Sequence, residues 1–519
     1  MNLTISFITP LNNKFPFEIT SGKVFMPRHG PVAIASRLER LGHDVTVFDE
    51  NAGSRINWKR VWSSDVVCLS LMSFCACKGY EYAAKTRSRS KAPIIIGGPH
   101  ATLMPDECLK HCDWVIRKEG DETLPLLIEE LFHGNNPKNL AGISFKEENG
   151  YAVHNPARDF VCNFDSPVNM SLVDGYRALT IARGLKDALT RMVPRFNVLP
   201  VQTSRGCPFM CRFCFVKDEL GLEYRLRDPD AVVQDIETGL NLLKTRYVMF
   251  VDNDITINRE HTKSLFEKIA RRFGGDLELY FFARISLSKD QEMLEWMRTA
   301  GNICVAVGVE SINDDTLIQF SKGQTREQIA DAISAFSKNK INIQALTIFG
   351  GEEDTAETVR ETIDFYIENK VYNIGVCALY DFPSKGPDIH SAPMWPSKRF
   401  IHHDWRFFNG NFVVFYPRRI KPSSLQREIS RAFERFYKSQ KQTVFQYHPS
   451  LATAKHYASY LETMEKGLYT RDGSLIEENL PVGPRESAIP LSVPRSSIVG
   501  EAAGFYAHKI GRASCRERV

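Results

Sequence analysis

The sequence has no apolar run long enough to cross a membrane, which takes roughly 18 residues or more. Its most apolar stretches, such as Val66–Phe74, have the length of a strand. The first residues, Met1 to Ile5, lack the basic start and long apolar core of a signal peptide. We therefore expect a protein of the cytoplasm.

Charge of one sign and cysteine are also scarce. The 66 basic and 62 acidic residues nearly cancel and leave a net charge of +4, so bulk charge does not indicate a nucleic-acid binder. Twelve cysteines in 519 residues are too few for a disulfide scaffold. The composition, 43% hydrophobic and 25% charged, is that of a globular chain, and its length indicates about three domains.

The last residues, Ile510–Val519, resemble the conceptual translation of a common short-read sequencing adapter. We expect the natural chain to end or to be cut near His508, in which case Cys515 carries no chemistry. The alternative is a genuine basic tail. In either case residues 510–519 add nothing to the predicted fold.

Residues 1–135 alternate between short apolar runs and helical patterns. The alternation predicts strands from Leu3–Ile8 to Trp114–Arg117 and a parallel, Rossmann-like sheet. No Gly-x-Gly-x-x-Gly follows the first strand, so a dinucleotide site is poorly supported. Parallel sheets bind ligands beyond the carboxyl ends of their strands. Here those ends carry Ser70, Ser73, Gly97, Gly98, His100, Glu119 and Gly120.

Two further stretches follow along the chain. Residues 136–196 look like a connector with a small hairpin around a turn at Asn149-Gly150. Residues 197–385 then repeat a strand–helix unit six times, from Val198–Thr203 to Ile374–Leu379, which predicts a partial barrel. Chemistry in such barrels lies at the carboxyl ends of the strands.

Residues 386–508 lose this rhythm and are predicted to form an α-rich C-terminal extension. We expect a short strand at Phe412–Phe415 and a helix at Ser423–Lys438. The helix carries an apolar stripe and a basic stripe, which predicts a core-facing side opposite a solvated basic face. The alternative is that the basic face meets an anionic substrate, a membrane surface or RNA. The basic residues are Arg427, Arg431, Arg435 and Lys438.

Three cysteines stand apart from the rest. Cys207, Cys211 and Cys214 have the spacing Cys-x3-Cys-x2-Cys on the loop after the first barrel strand. Thiolates suit zinc and iron–sulfur clusters, and three of them leave one iron of a cubane open to bind a small molecule. A structural zinc site needs a fourth ligand, and no His or Cys occurs in the next forty residues.

This loop resembles that of the radical S-adenosylmethionine (SAM) enzymes, whose signature is Cys-x3-Cys-x-aromatic-Cys with Phe213 at the aromatic position. The segments Gly97–Thr102 and Glu119–Glu122 resemble the cobalamin-binding branch of that family. The tract 404–437 resembles the C-terminal extension common in that branch. The implied fold is a Rossmann-like cobalamin-binding domain, a partial (β/α)6 TIM-type barrel and an α-rich extension.

The resemblance implies that the three cysteines hold a 4Fe–4S cluster whose open iron binds SAM. An electron from a flavodoxin- or ferredoxin-type reductant then cleaves SAM to a 5′-deoxyadenosyl radical. Asp252 or Asn253 is the candidate for the SAM amino group, at a position that departs from the family's usual glycines. The other SAM candidates are Phe213 near the adenine, Arg284 for the carboxylate, Glu310 and Ser311 for the ribose, and Gly350 and Gly351 for close backbone approach.

Each of these residues also has an ordinary explanation. Asp252 and Asp254 could cap the next helix, Arg284 could form a surface ion pair, and Glu310 could be favoured by a helix dipole. Cys75 and Cys77 are expected to be ordinary thiols rather than ligands of a second cluster.

The Asp-x-His-x2-Gly motif that supplies a lower axial histidine in many cobalamin domains is missing from this sequence. We therefore expect cobalamin with its dimethylbenzimidazole tail displaced and no protein nitrogen beneath the cobalt. His100 is the one residue that could act as such a ligand, and the alternative is that it lines the site or packs.

The resulting hypothesis is a cobalamin-dependent radical SAM enzyme that methylates an unactivated carbon, or a phosphinate phosphorus, of a small molecule or lipid. One alternative is a non-methylating radical reaction such as cyclisation, ring contraction or rearrangement. A more distant alternative is a zinc-stabilised nucleic-acid-binding protein.

Overall fold

The computed structural model describes residues 1–11, 24–176, 196–381, 386–389, 399–440 and 451–481. The tail at 510–519 and much of the later part of the predicted connector lie outside these residues. Among the described residues, no helix is both long and apolar enough to span a membrane.

The N-terminal part is built on a mostly parallel sheet. Its strands are β1 (Thr4–Thr9), β2 (Val24–Phe25), β3 (Asp44–Asp49), β4 (Val66–Ser70), β5 (Ile94–Gly97), β6 (Trp114–Ile116), β7 (Ile143–Lys146) and β8 (Ala152–His154). All except β2 form one sheet in the order β3-β1-β4-β5-β6-β7-β8, and the first five of these run parallel. The predicted Rossmann-like arrangement is confirmed.

Six helices connect these strands: α1 (His29–Arg40), α2 (Trp58–Ser63), α3 (Ala76–Arg87), α4 (Pro99–Leu103), α5 (Pro105–Cys108) and α6 (Thr123–His133). Helix α1 buries Val32, Ala35 and Leu38, the spacing of a single helix face. Gly42 follows the helix with a φ of +92°, a left-handed conformation that favours glycine. These two features explain why the sequence predicted this helix.

The hairpin β7–β8 belongs to the first sheet and not to a separate connector. Strand β7 pairs antiparallel with β6, which otherwise would end the sheet with unpaired backbone groups. The buried guanidinium of Arg117 donates to the Ile143 carbonyl at 2.6 Å and to Asp388 of the C-terminal extension at 2.7 Å. The predicted boundary at residue 135 is therefore wrong for the hairpin, because strand pairing depends on a neighbour distant in sequence.

The second sheet has six parallel strands in sequence order. The strands of this sheet are β10 (Leu199–Val201), β13 (Tyr247–Phe250), β14 (Leu277–Ala283), β15 (Gly301–Glu310), β16 (Asn342–Phe349) and β17 (Asn373–Ala378). Outside it, β9 (Phe196–Asn197) pairs with β2, and β11 (Ser204–Arg205) pairs with β12 (Arg225–Leu226). The sheet runs β10-β13-β14-β15-β16-β17, and its two ends do not pair with each other within the described residues. This is the partial barrel that the sequence predicted.

The helices of this half are α7 (Val216–Leu220), α8 (Pro229–Leu243), α9 (Arg259–Phe273), α10 (Gln291–Ala300), α11 (Asp314–Gln319), α12 (Arg326–Lys338) and α13 (Ala356–Glu368). Strand β14 shows how they cover the barrel. Leu277, Leu279 and Phe281 alternate into the buried layer, while Tyr280 and Phe282 between them are only half-buried. The half-buried set lines the inner side of the barrel, where Tyr280 donates to Gln344 at 2.7 Å.

The C-terminal extension contains helices α14 (Pro422–Ser439) and α15 (Leu451–Met464). The predicted helix at 423–438 is confirmed with slightly longer bounds. The predicted strand at Phe412–Phe415 is wrong, since only an isolated bridge joins Phe415 to Phe400. The apolar residues there are buried in packing between the barrel and α14 rather than in a sheet.

Candidate functional site

A small hairpin frames the cysteine loop. Strands β11 and β12 pair antiparallel, and the loop between them carries all three cysteines of the motif. Gly206 has a φ of +86°, and a Cβ there would lie 2.0 Å from the Glu223 carbonyl oxygen, so only glycine fits. The Cys207 N–H donates to the Gly221 carbonyl at 3.0 Å, which closes the loop at the carboxyl end of β10.

Asp252 fastens the start of this loop. Its carboxylate accepts hydrogen bonds from the Thr203 N–H at 3.0 Å, the Thr203 hydroxyl at 2.9 Å and the Ser204 hydroxyl. Burial raises the pKa of Asp252 to about 6, although these hydrogen bonds oppose the rise. The structure thus uses Asp252 to anchor the loop, while Asn253 beside it is exposed and remains a prediction for the SAM amino group.

The three cysteines of the motif are free thiols. Cys211 is buried, and Cys207 and Cys214 are partly exposed. Burial raises the pKa of Cys214 to about 11, and the neighbouring thiols of Cys211 and Cys207 add to the rise. Three free thiols on one short loop provide the donor set that a 4Fe–4S cluster with one open iron requires.

The side chains around the loop are not arranged around a metal centre. Within the described ranges, no group of three or more His, Cys, Asp or Glu side chains is placed so that it could hold a metal ion. The assignment of the three thiols as cluster ligands therefore rests on their spacing in the loop and on the comparisons below, and not on the distances between their side chains.

Arg284 lies beside the thiols, at the end of β14. Its Nη1 is 3.9 Å from the Cys211 sulfur, and its guanidinium stacks 4.0 Å from the ring centre of Phe209. Its Nη2 donates to the Lys322 carbonyl at 2.6 Å. These contacts bring the positive charge of Arg284 next to the cysteine loop. A contact with the SAM carboxylate remains a prediction.

Glu310 ends β15 in an unusual conformation. Its φ is +64°, which is uncommon for a residue other than glycine, and the pairing of β15 with β16 shifts register at this point. The carboxylate forms a buried ion pair with Lys322 at 2.8 Å. A strained residue at the carboxyl end of a barrel strand is a feature of functional sites.

Lys322 was missed by the sequence reasoning. Its Nζ lies 5.9 Å from the ring centre of Phe213, and Phe213 packs edge-on against Phe320 at 5.3 Å. A single lysine in a loop carries no spacing signal, so only the fold brings it to the cysteine motif. Ser311, next to Glu310, accepts from the Asn313 N–H at 3.0 Å and caps a turn.

The glycines after β16 are explained by packing. The N–H groups of Gly350 and Gly351 both donate to Asp354 Oδ2 at 2.8 Å. Gly350 has a φ of +114°, and a Cβ on it would lie 2.7 Å from the ring of Phe415 in the extension. The close neighbour of Gly350 is thus a phenylalanine of this chain, and an approach of SAM to Gly350 or Gly351 stays a prediction.

His100 is fully buried at the carboxyl edge of the first sheet, and both of its ring nitrogens are engaged. Nε2 lies 2.8 Å from the Tyr80 hydroxyl, and Nδ1 lies 3.1 Å from the Ser73 hydroxyl. The ring of Trp405, from the extension, packs edge-on at 5.2 Å. This arrangement favours packing over metal ligation for His100.

The other residues predicted for cobalamin divide into two groups. A Cβ on Gly98 would lie 2.9 Å from the Leu71 carbonyl, whereas Gly97 and Ser70 stand at the strand ends with more room around Gly97. A Cβ on Gly120 would lie 3.1 Å from Ile34 of α1. Packing against the backbone of Leu71 and a φ of +94° therefore require glycine at position 98, whereas at Gly120 the neighbour is the end of a side chain.

Glu119 joins the two halves of the protein. Its carboxylate pairs with Arg225 at 2.9 Å and with Arg205 at 3.3 Å, and it accepts from the Val161 N–H at 2.7 Å. Arg205 stands two residues before Cys207 and Glu119 follows β6, so the carboxyl edges of the two sheets meet here. The buried ion pairs account for Glu119 as an interdomain contact and leave it little capacity to bind cobalamin.

Comparison with known protein families agrees with this geometry. Residues 201–366 match the family model described as the radical SAM superfamily, and residues 20–128 match that of the B12 binding domain. The first match contains the cysteine loop and most of the barrel, and the second contains most of the parallel strands of the Rossmann-like sheet.

Similar proteins extend the comparison. The chain is 23% identical over 458 residues to bacteriochlorophyllide d C-8(2)-methyltransferase of Chlorobaculum tepidum, covering 84% of this chain and 94% of the relative. It is 28% identical over 275 residues to the anaerobic magnesium-protoporphyrin IX monomethyl ester cyclase of Rubrivivax gelatinosus, covering 52% and 47%. The radical SAM methyltransferase TsrM of Kitasatospora setae, solved with cobalamin and a 4Fe–4S cluster, superposes with a TM-score of 0.60 at 20% identity over 74% of each chain.

A Rossmann-like sheet that faces a partial barrel with a three-cysteine loop defines an enzyme with two cofactor-binding halves. The chain belongs to the cobalamin-binding branch of the radical SAM enzymes. Its cofactors are a 4Fe–4S cluster, SAM and cobalamin.

Proposed function

We propose that the protein transfers a methyl group from cobalamin to an unactivated carbon of a small molecule or lipid. The observation that carries this proposal is the meeting of the two carboxyl edges, where Arg205 of the cysteine-loop hairpin pairs with Glu119 and Asp121 of the first sheet. A substrate between these edges would be within reach of both cofactors. The name of the bacteriochlorophyllide relative also supports methylation of carbon.

When bound, the cluster and SAM supply a hydrogen-abstracting radical, and cobalamin supplies the methyl group. The residues of this chain hold and orient these groups. Cys207, Cys211 and Cys214 would hold the cluster, with Arg284 compensating the negative charge of the thiolates. The buried pair of Glu310 and Lys322 would set the polarity beside the SAM position.

The inner side of the barrel supports an apolar or aromatic substrate group. Tyr280 and Phe282 of β14 and Ile348 of β16 are half-buried there. The charged pair of Glu310 and Lys322 occupies the space beside Gly308. Aromatic and aliphatic walls with a small number of placed polar groups are typical of small-molecule sites.

A non-methylating cyclisation is the second candidate. It is favoured by the cyclase relative, although the chain spans only 47% of that protein's length. The two candidates differ in the fate of the SAM methyl group, because only methyl transfer places it in the product.

We also propose a cytoplasmic flavodoxin- or ferredoxin-type protein as the electron donor. The cysteine loop exposes Phe209, Met210 and Arg212, so a partner can approach this loop closely.

The basic stripe of α14 gives little support to membrane contact. Its cations pair with acids of this chain: Arg427 with Glu462, Arg431 with Glu428, Arg435 with Asp364 and Lys438 with Glu434.

The test is an anaerobic assay of the reconstituted protein with SAM that carries a trideuterated methyl group, a chemical reductant, and tetrapyrrole and hopanoid-type lipid substrates in parallel. Methyl transfer predicts a product heavier by one trideuteromethyl group in place of hydrogen, with formation of 5′-deoxyadenosine. An unlabelled product with a new ring would instead establish cyclisation. A protein that binds no cobalamin would contradict methyl transfer.

A further inference from the structure

A cleft at the interface between the two halves of the protein opens between helix α1 and the first strands of the barrel. Arg37 and Arg40 line it from α1, while Arg205 and Arg227 line it from the barrel side. Of the described residues that line this cleft, one is acidic, Asp121. We call it the arginine cleft.

Two of the four arginines are neutralised by acids. Arg205 pairs with Asp121 at 3.0 Å, and Arg227 pairs with Asp235 at 2.9 Å. These pairs are buried and hold the guanidinium groups in place. They therefore provide a fixed wall on the barrel side of the cleft.

The two arginines of α1 are not neutralised in this way. Arg40 donates to the Pro167 carbonyl at 2.7 Å, and neither Arg37 nor Arg40 forms an ion pair within the part of the chain that the structure describes. Glu39, which lies between them in sequence, accepts from the Asn169 amide at 2.9 Å. Glu39 and Asp235 act on Arg40 only through their charge. The cleft thus keeps two guanidinium groups that make no direct contact with an acid of the described residues.

Two buried polar atoms at the cleft also have no hydrogen-bond partner. They are Nδ1 of His29, whose residue is 7% exposed, and Nε of Arg227, whose residue is 2% exposed. Both residues line the cleft. Burial and the charges of Arg227 and Arg205 lower the pKa of His29 to about 3, so its ring is neutral and can offer one N–H. Buried polar groups normally have a partner. The Arg227 Nε–H is a donor without one, and His29 Nδ1 is a second donor when the neutral ring carries its proton there.

We propose that the arginine cleft binds a phosphate group, either as inorganic phosphate or as the phosphoryl group of a larger small molecule. The donors come from opposite walls, α1 on one side and the barrel on the other, and a tetrahedral oxyanion presents oxygens in several directions at once. A carboxylate presents two oxygens in one plane and would engage only one wall. Guanidinium groups suit phosphate because their N–H forks match its oxygens.

Binding here would connect the two halves of the enzyme. Helix α1 belongs to the cobalamin-binding half, whereas Gln202, Arg205 and Arg227 belong to the barrel. A bound phosphate would therefore stabilise the interface that carries the Arg205–Asp121 pair. This inference does not rest on the proposed methyl transfer, because its test measures binding of the anion and needs no turnover.

The test measures binding of inorganic phosphate to the anaerobically prepared holoenzyme by isothermal titration calorimetry, with sodium acetate at matched ionic strength as the comparison anion. Arg37→Gln removes an unpaired cleft charge, and Arg298→Gln, an exposed arginine on α10, is the matched control. We expect one saturable site in the wild type and the control, and affinity weakened about tenfold or more by Arg37→Gln. No saturable binding, equal weakening in both variants, or a preference for acetate would overturn the proposal.

The source of the phosphate is resolved by a second titration with a nucleoside diphosphate. If the nucleoside diphosphate binds more tightly than inorganic phosphate, the ligand is a phosphoryl group on a larger molecule. If it binds equally or more weakly, the ligand is free phosphate.

If Arg37→Gln does not fold, Arg40→Gln takes its place, because Arg40 is exposed. The midpoint of thermal unfolding should also rise with phosphate in the wild type and rise less in either variant, since ligands that bind the folded state stabilise it.

Discussion

Arg205 and Asp121 form a two-pronged ion pair across the two halves of the protein, with Nη1 3.0 Å from Oδ2 and Nη2 3.0 Å from Oδ1. Burial alone would raise the pKa of Asp121, but the charge and hydrogen bonds of Arg205 outweigh it and the pKa is lowered. Because Arg205 stands next to the cysteine loop and Asp121 follows β6, this pair sets how the cluster region faces the cobalamin-binding edge.

Asp121→Asn should destabilise the folded protein by about 2 kcal/mol, because the substitution removes the charge partner of a buried guanidinium. Denaturant unfolding measures the change. Asp331→Asn, at an exposed position on α12, is the control and should be neutral. Equal stability of Asp121→Asn and the wild type would show that Glu119 alone suffices for Arg205.

The same pair predicts a pH dependence. A carboxyl whose folded pKa is lowered contributes stability above its ordinary pKa and loses it as the pH falls through the folded value. The wild type should therefore lose stability relative to Asp121→Asn only below the ordinary carboxyl range, at about pH 4 and lower. Unfolding curves of both proteins across this range test the sign, and parallel curves would contradict it.

Asp252→Ala should strongly reduce iron content and stability, because three donors at the start of the cysteine loop lose their acceptor. Asp252→Asn keeps an acceptor oxygen and should retain the cluster.

Asp252 also predicts a pH dependence. Because its pKa in the folded protein is raised to about 6, the folded chain takes up a proton at this carboxyl between pH 7 and pH 5, and the unfolded chain does not. Lowering the pH from 7 to 5 should thus stabilise the wild type relative to Asp252→Asn, on the order of 1 kcal/mol. Loss of SAM binding in Asp252→Asn with an intact cluster would instead assign Asp252 to SAM.

Changing Cys207, Cys211 or Cys214 to Ala should abolish formation of 5′-deoxyadenosine and lower iron and sulfide per chain, because a cubane held by two thiolates is lost or inactive. Cys162→Ala is the control, since Cys162 is exposed and free outside the loop. Product formation is measured after anaerobic reconstitution. Retained SAM cleavage in any single variant of the loop would remove that cysteine from the ligand set.

Cobalamin should bind without a nitrogen ligand from His100, because Ser73 and Tyr80 already engage both ring nitrogens. Electron paramagnetic resonance of the Co(II) form should then show cobalt lines without the triplet splitting that an axial nitrogen causes. The His100→Ala spectrum should be the same as that of the wild type. Triplets that disappear in His100→Ala would make His100 a metal ligand.

Local patterns in the sequence were enough to predict the two α/β halves, the six barrel strands and the cysteine motif. The helix predicted at Ser423–Lys438 matches α14 at 422–439 to within one residue at each end, because the helical alternation of apolar and polar side chains is present in adjacent residues. The spacing of Cys207, Cys211 and Cys214 likewise needs only eight consecutive residues, 207–214, to be recognised.

The tertiary structure alone decided which side chains stand together. Glu119 was predicted to contact cobalamin, yet it pairs with two arginines more than 80 residues away. Lys322 reaches Glu310, and Phe415 fills the space above Gly350, through contacts that no local pattern encodes. The sequence determines periodicity and motif spacing because these act over a few neighbouring residues, whereas charge pairing and close packing depend on which distant segments the folded chain brings into contact.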